Sequence, residues 1–187
     1  MSDHASRTDK PQEAALQTLL RLIALRDRSM TSRLLAESPS LARQAIEVGA
    51  TREAARAYYF EEIAHCVYAG DTPLHVAAAA YETGIAEELV SRGANVSARN
   101  RRGAEPLHYA VDGIPGSAAW DPESQYATVE FLIKAGANPN SEDKSGVAPL
   151  HRAVRTRCAA AVLSLSRRSR GAVVFHRLAV ACEFLPL

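Results

Sequence analysis

Histidine and cysteine are the residue types in this sequence most able to bind a metal ion or to act as base and nucleophile. His75, His108 and His151 each follow a Pro-Leu pair, and the first two lie 33 residues apart. A zinc site needs three or four ligands within bonding distance of one ion. Side chains that recur once per structural unit are stacked about one unit apart, so they do not converge on an ion. We therefore expect these histidines to be structural, with no bound metal or other cofactor.

The adjacent residues His65 and Cys66 offer a second candidate, a thiol nucleophile beside its base. The sequence from Thr51 to Val67 predicts a helix, and neighbours on a helix do not face one another. The two side chains then cannot work as a catalytic pair, and Cys66 is interpreted as a small buried hydrophobe. The sequence contains no GxSxG, Walker A, GxGxxG or HExxH motif. We therefore expect no enzymatic activity.

Composition limits the partner and the compartment. The three cysteines are far apart and not in CxxC spacing, which argues against a disulfide framework and favours a reducing compartment. A formal net charge of +1 gives no global reason to expect nucleic-acid binding. No stretch approaches the ~20 apolar residues that span a bilayer, and the first residues do not resemble a signal peptide. We expect a monomeric cytoplasmic protein that binds neither nucleic acid nor membrane.

Arginine supplies almost all of the positive charge, since only three of the 22 basic residues are lysine. Arg99, Arg101 and Arg102 fall together in a polar stretch. Because surface charge runs are common, this cluster has a plain interpretation as a solvated turn. Its functional interpretation is a docking point for an acidic segment of a partner, since arginine binds carboxylates through a planar fork.

The elements that position these residues are repeated. The segments Thr72–Ala77, Glu105–Ala110 and Ala148–Ala153 share a Pro-Leu-His core followed by alanine. Proline suits the first helical position, where its missing N–H costs nothing, and the residue before it suits an N-cap. Gly93 and Gly136 each precede Ala-Asn and predict the left-handed end of a second helix.

These segments and their 33-residue spacing resemble the ankyrin repeat. The resemblance implies an all-α fold, a short ankyrin-repeat solenoid of helix–turn–helix units with an N-terminal helical cap. It places one repeat at residues 69–101, a second at 102–144 with a ten-residue insertion, and a partial third at 145–170. Between the helices of this second repeat, residues 112–120 are rich in Gly and Pro and predict a surface loop that carries the only tryptophan, Trp120. We call this loop the inserted loop.

The two ends depart from the repeat. Residues 1–12 predict a flexible N-terminus, and residues 13–68 a helical cap that can hold one degenerate repeat. Within it, Leu16, Leu19, Leu20 and Ile23 lie on one face of an amphipathic helix. Residues 171–187 form an atypical tail with two open interpretations. Either the reading frame is shifted near Val162, or the tail is an irregular capping helix, and resequencing the coding region distinguishes them.

The resemblance also implies a function, protein–protein interaction on the concave face formed by inner helices and hairpin tips. Aligned repeats place Val76, Tyr109 and Arg152 at one variable inner-helix position, and Ala79, Asp112 and Arg155 at another. Partner contact is expected from these two positions, from the tips and from the inserted loop, that is, from Val76, Tyr109, Asp112, Arg152, Arg155, Arg99, Arg101, Arg102 and Trp120. We expect Tyr109→Ala or Arg155→Ala to weaken binding without unfolding the stack. The rival functions are a truncated or frame-shifted non-functional copy, a metal-dependent protein and a nucleic-acid-binding protein.

Overall fold

The structure is a computed structural model, and it describes residues 9–117 and 120–166 of the 187. Short helices follow one another in pairs and stack side by side. The helices are α1 (Asp9–Ala24), α2 (Arg28–Glu37), α3 (Pro73–Ala79), α4 (Thr83–Ser91), α5 (Pro106–Ala110), α6 (Pro122–Lys134), α7 (Pro149–Arg155) and α8 (Ala159–Ser166). The described residues also form one antiparallel pair of two-residue strands, β1 (Tyr59–Phe60) and β2 (His65–Cys66). The predicted helical repeat stack is confirmed.

The helices begin where the sequence predicts. Thr72, Glu105 and Ala148 are the N-caps of α3, α5 and α7, and a proline occupies the first turn of each helix. Proline already has the backbone angle of a helix and lacks only an N–H that would have no partner there. After the inserted loop, the carboxylate of Asp121 caps α6 by accepting the N–H of Glu123 at 3.0 Å. The local chemistry of each start is therefore sufficient to place the helices.

The outer helices end at glycine, as the sequence predicts. Gly93 follows α4 with a φ of +89°, and Gly136 follows α6 with a φ of +105°. The inner helix α3 ends differently, because Tyr81 adopts the left-handed region with a φ of +57°. A residue with a Cβ is disfavoured there by about 1–2 kcal/mol. The surrounding contacts must therefore hold Tyr81 in place.

Small side chains allow the inner helices to lie close together. Ala77, Ala110 and Ala153 occupy the same position in three successive inner helices, and all three are fully buried. A methyl group leaves room for the backbone of the next helix, so the stack packs tightly without large aromatic residues. Leu74 and Leu107, three residues earlier in their helices, are also fully buried and join the same core.

The first helix covers the front of the stack. The predicted apolar stripe is buried and packs into the core next to α3. The helix itself runs from Asp9 to Ala24, so residues 9–12, placed by the sequence in a flexible N-terminus, belong to it. It therefore begins four residues earlier than the predicted cap at residue 13.

The prediction of a helix from Thr51 to Val67 is wrong. This segment forms short helical turns around the β1–β2 hairpin. Ala54 and Ala57, which suggested a helical stripe, are exposed, whereas Phe60 is buried against the cap. Aromatic side chains favour strands, and the run of aromatics that ends at Phe60 sets this local preference. We call residues 58–67 the hairpin.

The remaining parts of the stack are the inserted loop and the C-terminal end. Residues 112–117 and 120 lie in an irregular loop between α5 and α6. The last described helix ends at Ser166, so the predicted tail at 171–187 and both of its interpretations lie outside the described residues. None of the helices within residues 9–117 and 120–166 is long and apolar enough to cross a membrane.

Candidate protein-binding face

The repeated histidines join neighbouring units of the stack. The His75 Nδ1 accepts the N–H of Thr72 at 3.1 Å, and its Nε2 lies 3.1 Å from the Ala104 carbonyl oxygen in the next unit. Because Nδ1 accepts a hydrogen bond from the backbone, the proton must be on Nε2, which then donates to that carbonyl. Burial lowers the pKa of His75. The ring therefore stays neutral and holds two units together.

The next two histidines repeat this arrangement until the described stack ends. His108 Nδ1 accepts the N–H of Glu105 at 3.1 Å, and its Nε2 lies 3.0 Å from the Val147 carbonyl oxygen. His151 Nδ1 accepts the N–H of Ala148 at 3.0 Å, but the residue is exposed. In the described part of the chain, no group of three His, Cys, Asp or Glu side chains is placed to hold a metal ion. The histidines lie one per unit.

The first variable position of the inner helices is covered rather than open. Val76 and Tyr109 are 1% and 2% exposed. The His65 ring of the hairpin packs on Tyr109, with 4.3 Å between ring centroids. His65 and Cys66 form strand β2, whereas the sequence placed them on a helix. The sequence placed Val76 and Tyr109 on an open surface, but both are buried, and the hairpin covers Tyr109 through His65.

Beneath His65 is a buried polar cluster. The Tyr109 hydroxyl donates to Oδ2 of Asp71 at 2.8 Å, and Asn100 donates to the other carboxylate oxygen at 2.9 Å. The backbone N–H of Tyr68 donates to Oδ2 at 2.6 Å, so this fully buried carboxylate has three donors. Burial raises the pKa of Tyr109, and the adjacent Asp71 raises it further. Tyr109 is therefore a neutral hydrogen-bond donor that stabilises the fold.

At the same position of the third unit, the chain places Arg152, which is 7% exposed. Its guanidinium donates to Asp143 at 2.8 Å and to Asp112 at 3.4 Å, and its Nε is buried without a described partner. Burial raises the pKa of Asp143, but hydrogen bonds from Arg152 and from the backbone N–H groups of Ser145 and Val147 outweigh it, and the net shift is downward. Asp143 is thus ionised and fully hydrogen-bonded.

A groove of about 290 Å³ lies beside this cluster, and we call it the arginine groove. Arg102, Arg152 and Arg155 line it, and Arg102 and Arg155 are exposed. The Arg102 guanidinium lies over the ring of Tyr68 at 5.0 Å and donates to its hydroxyl at 3.1 Å. Neither exposed arginine forms an ion pair with a carboxylate among the described residues. The groove therefore has positive charge available for a ligand.

The other two arginines of the predicted tip cluster have partners in the fold. Arg99 forms an ion pair with the buried Glu105 at 3.1 Å and donates to Ser141 at 2.8 Å. Arg101 donates to the carbonyl of Ala50 in the cap. These contacts tie one unit to the next and to the cap. Both arginines remain partly accessible, but their guanidinium groups are already engaged.

A second cleft, of about 240 Å³, lies between the hairpin and the inserted loop. We call it the hairpin–loop cleft. Its walls include Ile63 and His65 from the hairpin and Ile114 and Trp120 from the loop. Trp120 is half-buried, and its Nε1 donates to the side chain of Gln125 at 3.1 Å. Trp120 is therefore held against the stack.

Comparison with known proteins identifies the repeated units. A family model for ankyrin repeats, in three copies, matches residues 42–143. The chain belongs to the ankyrin-repeat family. The match begins inside the segment that the sequence assigned to a cap with a degenerate repeat, and it ends before α7. A search of curated proteins found no match.

Within this ankyrin-repeat protein, sequence reasoning missed the polar cluster at Asp71 and Asn100. A signal for the second residue was present, because Asn100 and Asp143 align 43 residues apart in the two polar turns. Both side chains accept backbone N–H groups of their own turn and also contact the inner helix. No sequence pattern pointed to the hairpin that completes the cluster, since that contact is between distant parts of the chain.

Proposed function

We propose that this ankyrin-repeat protein is a non-catalytic module that binds an acidic segment of another protein in the arginine groove. Ankyrin repeats are generally protein–protein interaction modules. The observation that carries the proposal is the pair of exposed arginines, Arg102 and Arg155, which line one groove and have no carboxylate partner among the described residues.

The chemistry of the groove favours a carboxylate ligand. A guanidinium presents several N–H donors in a fixed plane and binds a carboxylate through two parallel hydrogen bonds. Arg152, between the two exposed arginines in sequence, is already engaged with Asp143, so it fixes the floor of the groove instead of competing for the ligand. Arginine is also among the residues that dominate binding energy at protein interfaces.

The proposal revises which of the predicted contact residues bind the partner. Arg102 and Arg155 are retained as direct contacts, and Arg152 and Asp112 line the groove beside them. Val76 and Tyr109 are dropped because they are buried. The protein is proposed to act as a monomer in the cytoplasm.

Charge reversal tests the proposal. Arg155→Glu is expected to weaken binding of the partner at least tenfold, because it replaces attraction of the partner's acidic segment with repulsion. The matched control is Arg33→Glu, which makes the same charge change at an exposed residue of α2 whose Glu37 ion pair is on the surface. Such a surface pair contributes only about 0.3–0.5 kcal/mol. Affinity purification with wild type and both variants identifies proteins that depend on Arg155.

Two results would contradict the proposal. The first is a partner that binds Arg155→Glu and wild type equally well. The second is salt-dependent binding of random DNA or RNA that is lost in Arg155→Glu, which would assign the same arginines to phosphates instead.

A further inference from the structure

Two segments interrupt the repeat pattern of this chain, and they meet at one place. The hairpin precedes the first clear repeat, whereas the inserted loop lies between the two helices of the second. Their residues face each other across the hairpin–loop cleft, with Ile63 and His65 on one side and Ile114 and Trp120 on the other. Neither segment belongs to the Pro-Leu-His pattern that the helix pairs share. The two segments therefore supply two walls of one cleft.

Strained backbone also concentrates at this cleft. Ala64 and Tyr81 both line it, and both adopt the left-handed region, with φ values of +49° and +57°. Each such conformation is disfavoured for a residue with a Cβ. The Tyr81 hydroxyl donates to the carbonyl oxygen of Asp112 at 2.5 Å, which fastens the inner helix turn to the inserted loop. The fold thus holds the cleft walls in place at a local energetic cost.

The charge at the cleft is negative. Asp112 lines both the cleft and the arginine groove, and it is the one described cleft residue that carries charge, because burial lowers the pKa of His65 and keeps that ring neutral. The 3.4 Å contact from Arg152 to Asp112 is longer than the 2.7–2.9 Å of a strong charge-assisted hydrogen bond. Arg152 is bound more closely by Asp143, at 2.8 Å. These three residues together carry a formal charge of −1, and the exposed Arg102 and Arg155 lie in the adjoining arginine groove.

We propose that the hairpin–loop cleft binds one basic side chain, arginine or lysine, of the protein partner. Its cationic head would lie at the Asp112 carboxylate, and its aliphatic stem would pack against Ile114 and Trp120. Arginine and lysine side chains pack their aliphatic stems on apolar surface while the charged head stays at a polar group. The inference rests on the proposed function, because it takes the ligand to be a protein.

The dimensions of the cleft fit one side chain. Sites for drug-sized ligands measure about 300–1,000 Å³, and this cleft is smaller, at about 240 Å³. A basic residue here and a carboxylate in the adjacent arginine groove would give the bound segment opposite charges at two neighbouring positions. Such a pairing fixes the direction in which the segment lies along the face.

Trp120 provides a direct readout, since it is the only tryptophan in the chain. The intact protein is titrated with N-acetyl-arginine amide and N-acetyl-lysine amide while tryptophan emission is recorded. We expect a saturable change with a Kd in the millimolar range, on the order of 4 kcal/mol of binding free energy. N-acetyl-citrulline amide and N-acetyl-leucine amide, which are neutral, are expected to bind at least tenfold more weakly. Equal binding of the leucine or citrulline probe would overturn the assignment.

Two variants test the contacts separately. Asp112→Asn is expected to weaken binding of N-acetyl-arginine amide at least tenfold, and Ile114→Ala is expected to weaken it several-fold. Circular dichroism shows whether Asp112→Asn stays folded, and Ile114→Ala keeps the test decisive if it does not, because Ile114 is 58% exposed. Leu25→Ala is the matched control, since Leu25 is 59% exposed and lies just after α1. Unchanged probe affinity in Ile114→Ala would overturn the proposal.

The outcomes separate this inference from the proposed function. If no basic probe binds while a partner still depends on Arg155, the cleft assignment falls and the binding module stands. If the basic probes bind through Asp112 and no partner depends on Arg155, the cleft assignment is supported and the proposed ligand binding in the arginine groove is rejected.

Discussion

The second and third repeats place different residues at the same position of their inner helices, Tyr109 in one and Arg152 in the other. In each repeat this residue contacts the polar side chain of the preceding turn, Asn100 at 2.9 Å and Asp143 at 2.8 Å. Those turns are also alike, because each polar side chain accepts N–H groups of its own turn. The two sites are therefore the same in architecture and differ in chemistry.

The hairpin distinguishes the surroundings of the two sites. It covers Tyr109 through His65 and leaves the third repeat beside an open groove with Arg155 exposed. A position that aligns with binding residues can therefore become part of the core when a neighbouring segment covers it. The alignment of repeats identifies equivalent positions, but only the cover decides whether each one is a surface.

The sharpest test of this comparison is Tyr109→Ala. Truncating a buried aromatic side chain costs about 3–5 kcal/mol, and here the change also removes a hydrogen-bond donor from the buried Asp71. We expect the urea midpoint to fall accordingly, in contrast to the sequence-based expectation that this variant leaves the stack folded. Tyr126→Ala, at a tyrosine that is 37% exposed, is the control and should change stability little. Normal stability of Tyr109→Ala combined with lost partner binding would restore the sequence-based site.

His108 and His151 give a second contrast, because His108 contacts the next unit whereas His151 contacts only its own N-cap among the described residues. His108→Ala is expected to destabilise the protein by about 1–3 kcal/mol, because it leaves the Val147 carbonyl and the Glu105 N–H without their partner. His151→Ala removes one exposed contact with its N-cap and should cost less than about 1 kcal/mol. Denaturant unfolding of both variants measures the difference, and equal losses would show that His108 does not join two units.

Acid should lower the free energy of unfolding through the histidines that join neighbouring units. The folded pKa values of His75 and His108 lie below the ordinary 6.5, and burial is the main cause for each. Below that value the unfolded chain binds more protons than the folded one, so stability is complete above about pH 6.5 and falls as pH decreases. Each histidine contributes a slope of up to about 1.4 kcal/mol per pH unit. In urea unfolding between pH 7.5 and 5.5, His108→Asn should show a shallower decline than wild type, and a parallel decline would refute this assignment.

The smallest expected change in stability is at the exposed Arg155 of the third repeat. Arg155→Ala should change the free energy of unfolding by no more than about 0.5 kcal/mol, as expected for an exposed residue that forms no ion pair with a described carboxylate. Thermal unfolding measures this value. A loss near 2 kcal/mol would mean that Arg155 supports the fold and is not free to bind.

Local sequence chemistry was sufficient to predict most of the stack. The proline and cap residue at each inner helix, and the left-handed Gly93 and Gly136, lie where the repeat placed them. These features depend on interactions within a few residues. The same reasoning predicted Asp121 as the cap after the inserted loop.

Contacts between distant residues were not predictable in this way. The alanines between residues 51 and 67 suggested a helix, but burial of Phe60 and the pairing of two short strands decide the structure there. His65 reaches Tyr109 across 44 residues of sequence. Because the segment that carries His65 lacks the Pro-Leu-His pattern of the clear repeats, aligning those repeats could not reveal that Tyr109 is covered.

The direction of the histidine contacts gives this stack two unlike ends. His75 and His108 each donate to a carbonyl of the following unit. The equivalent carbonyl of the first repeat, that of Asp71, instead accepts the backbone N–H of Ile46 at 2.9 Å. A backbone N–H of the cap thus occupies the carbonyl acceptor that the histidine of a preceding repeat would have used. At the last inner helix of the described residues, His151 is exposed, so repeats engineered onto this scaffold should be joined on that side and not before the first repeat.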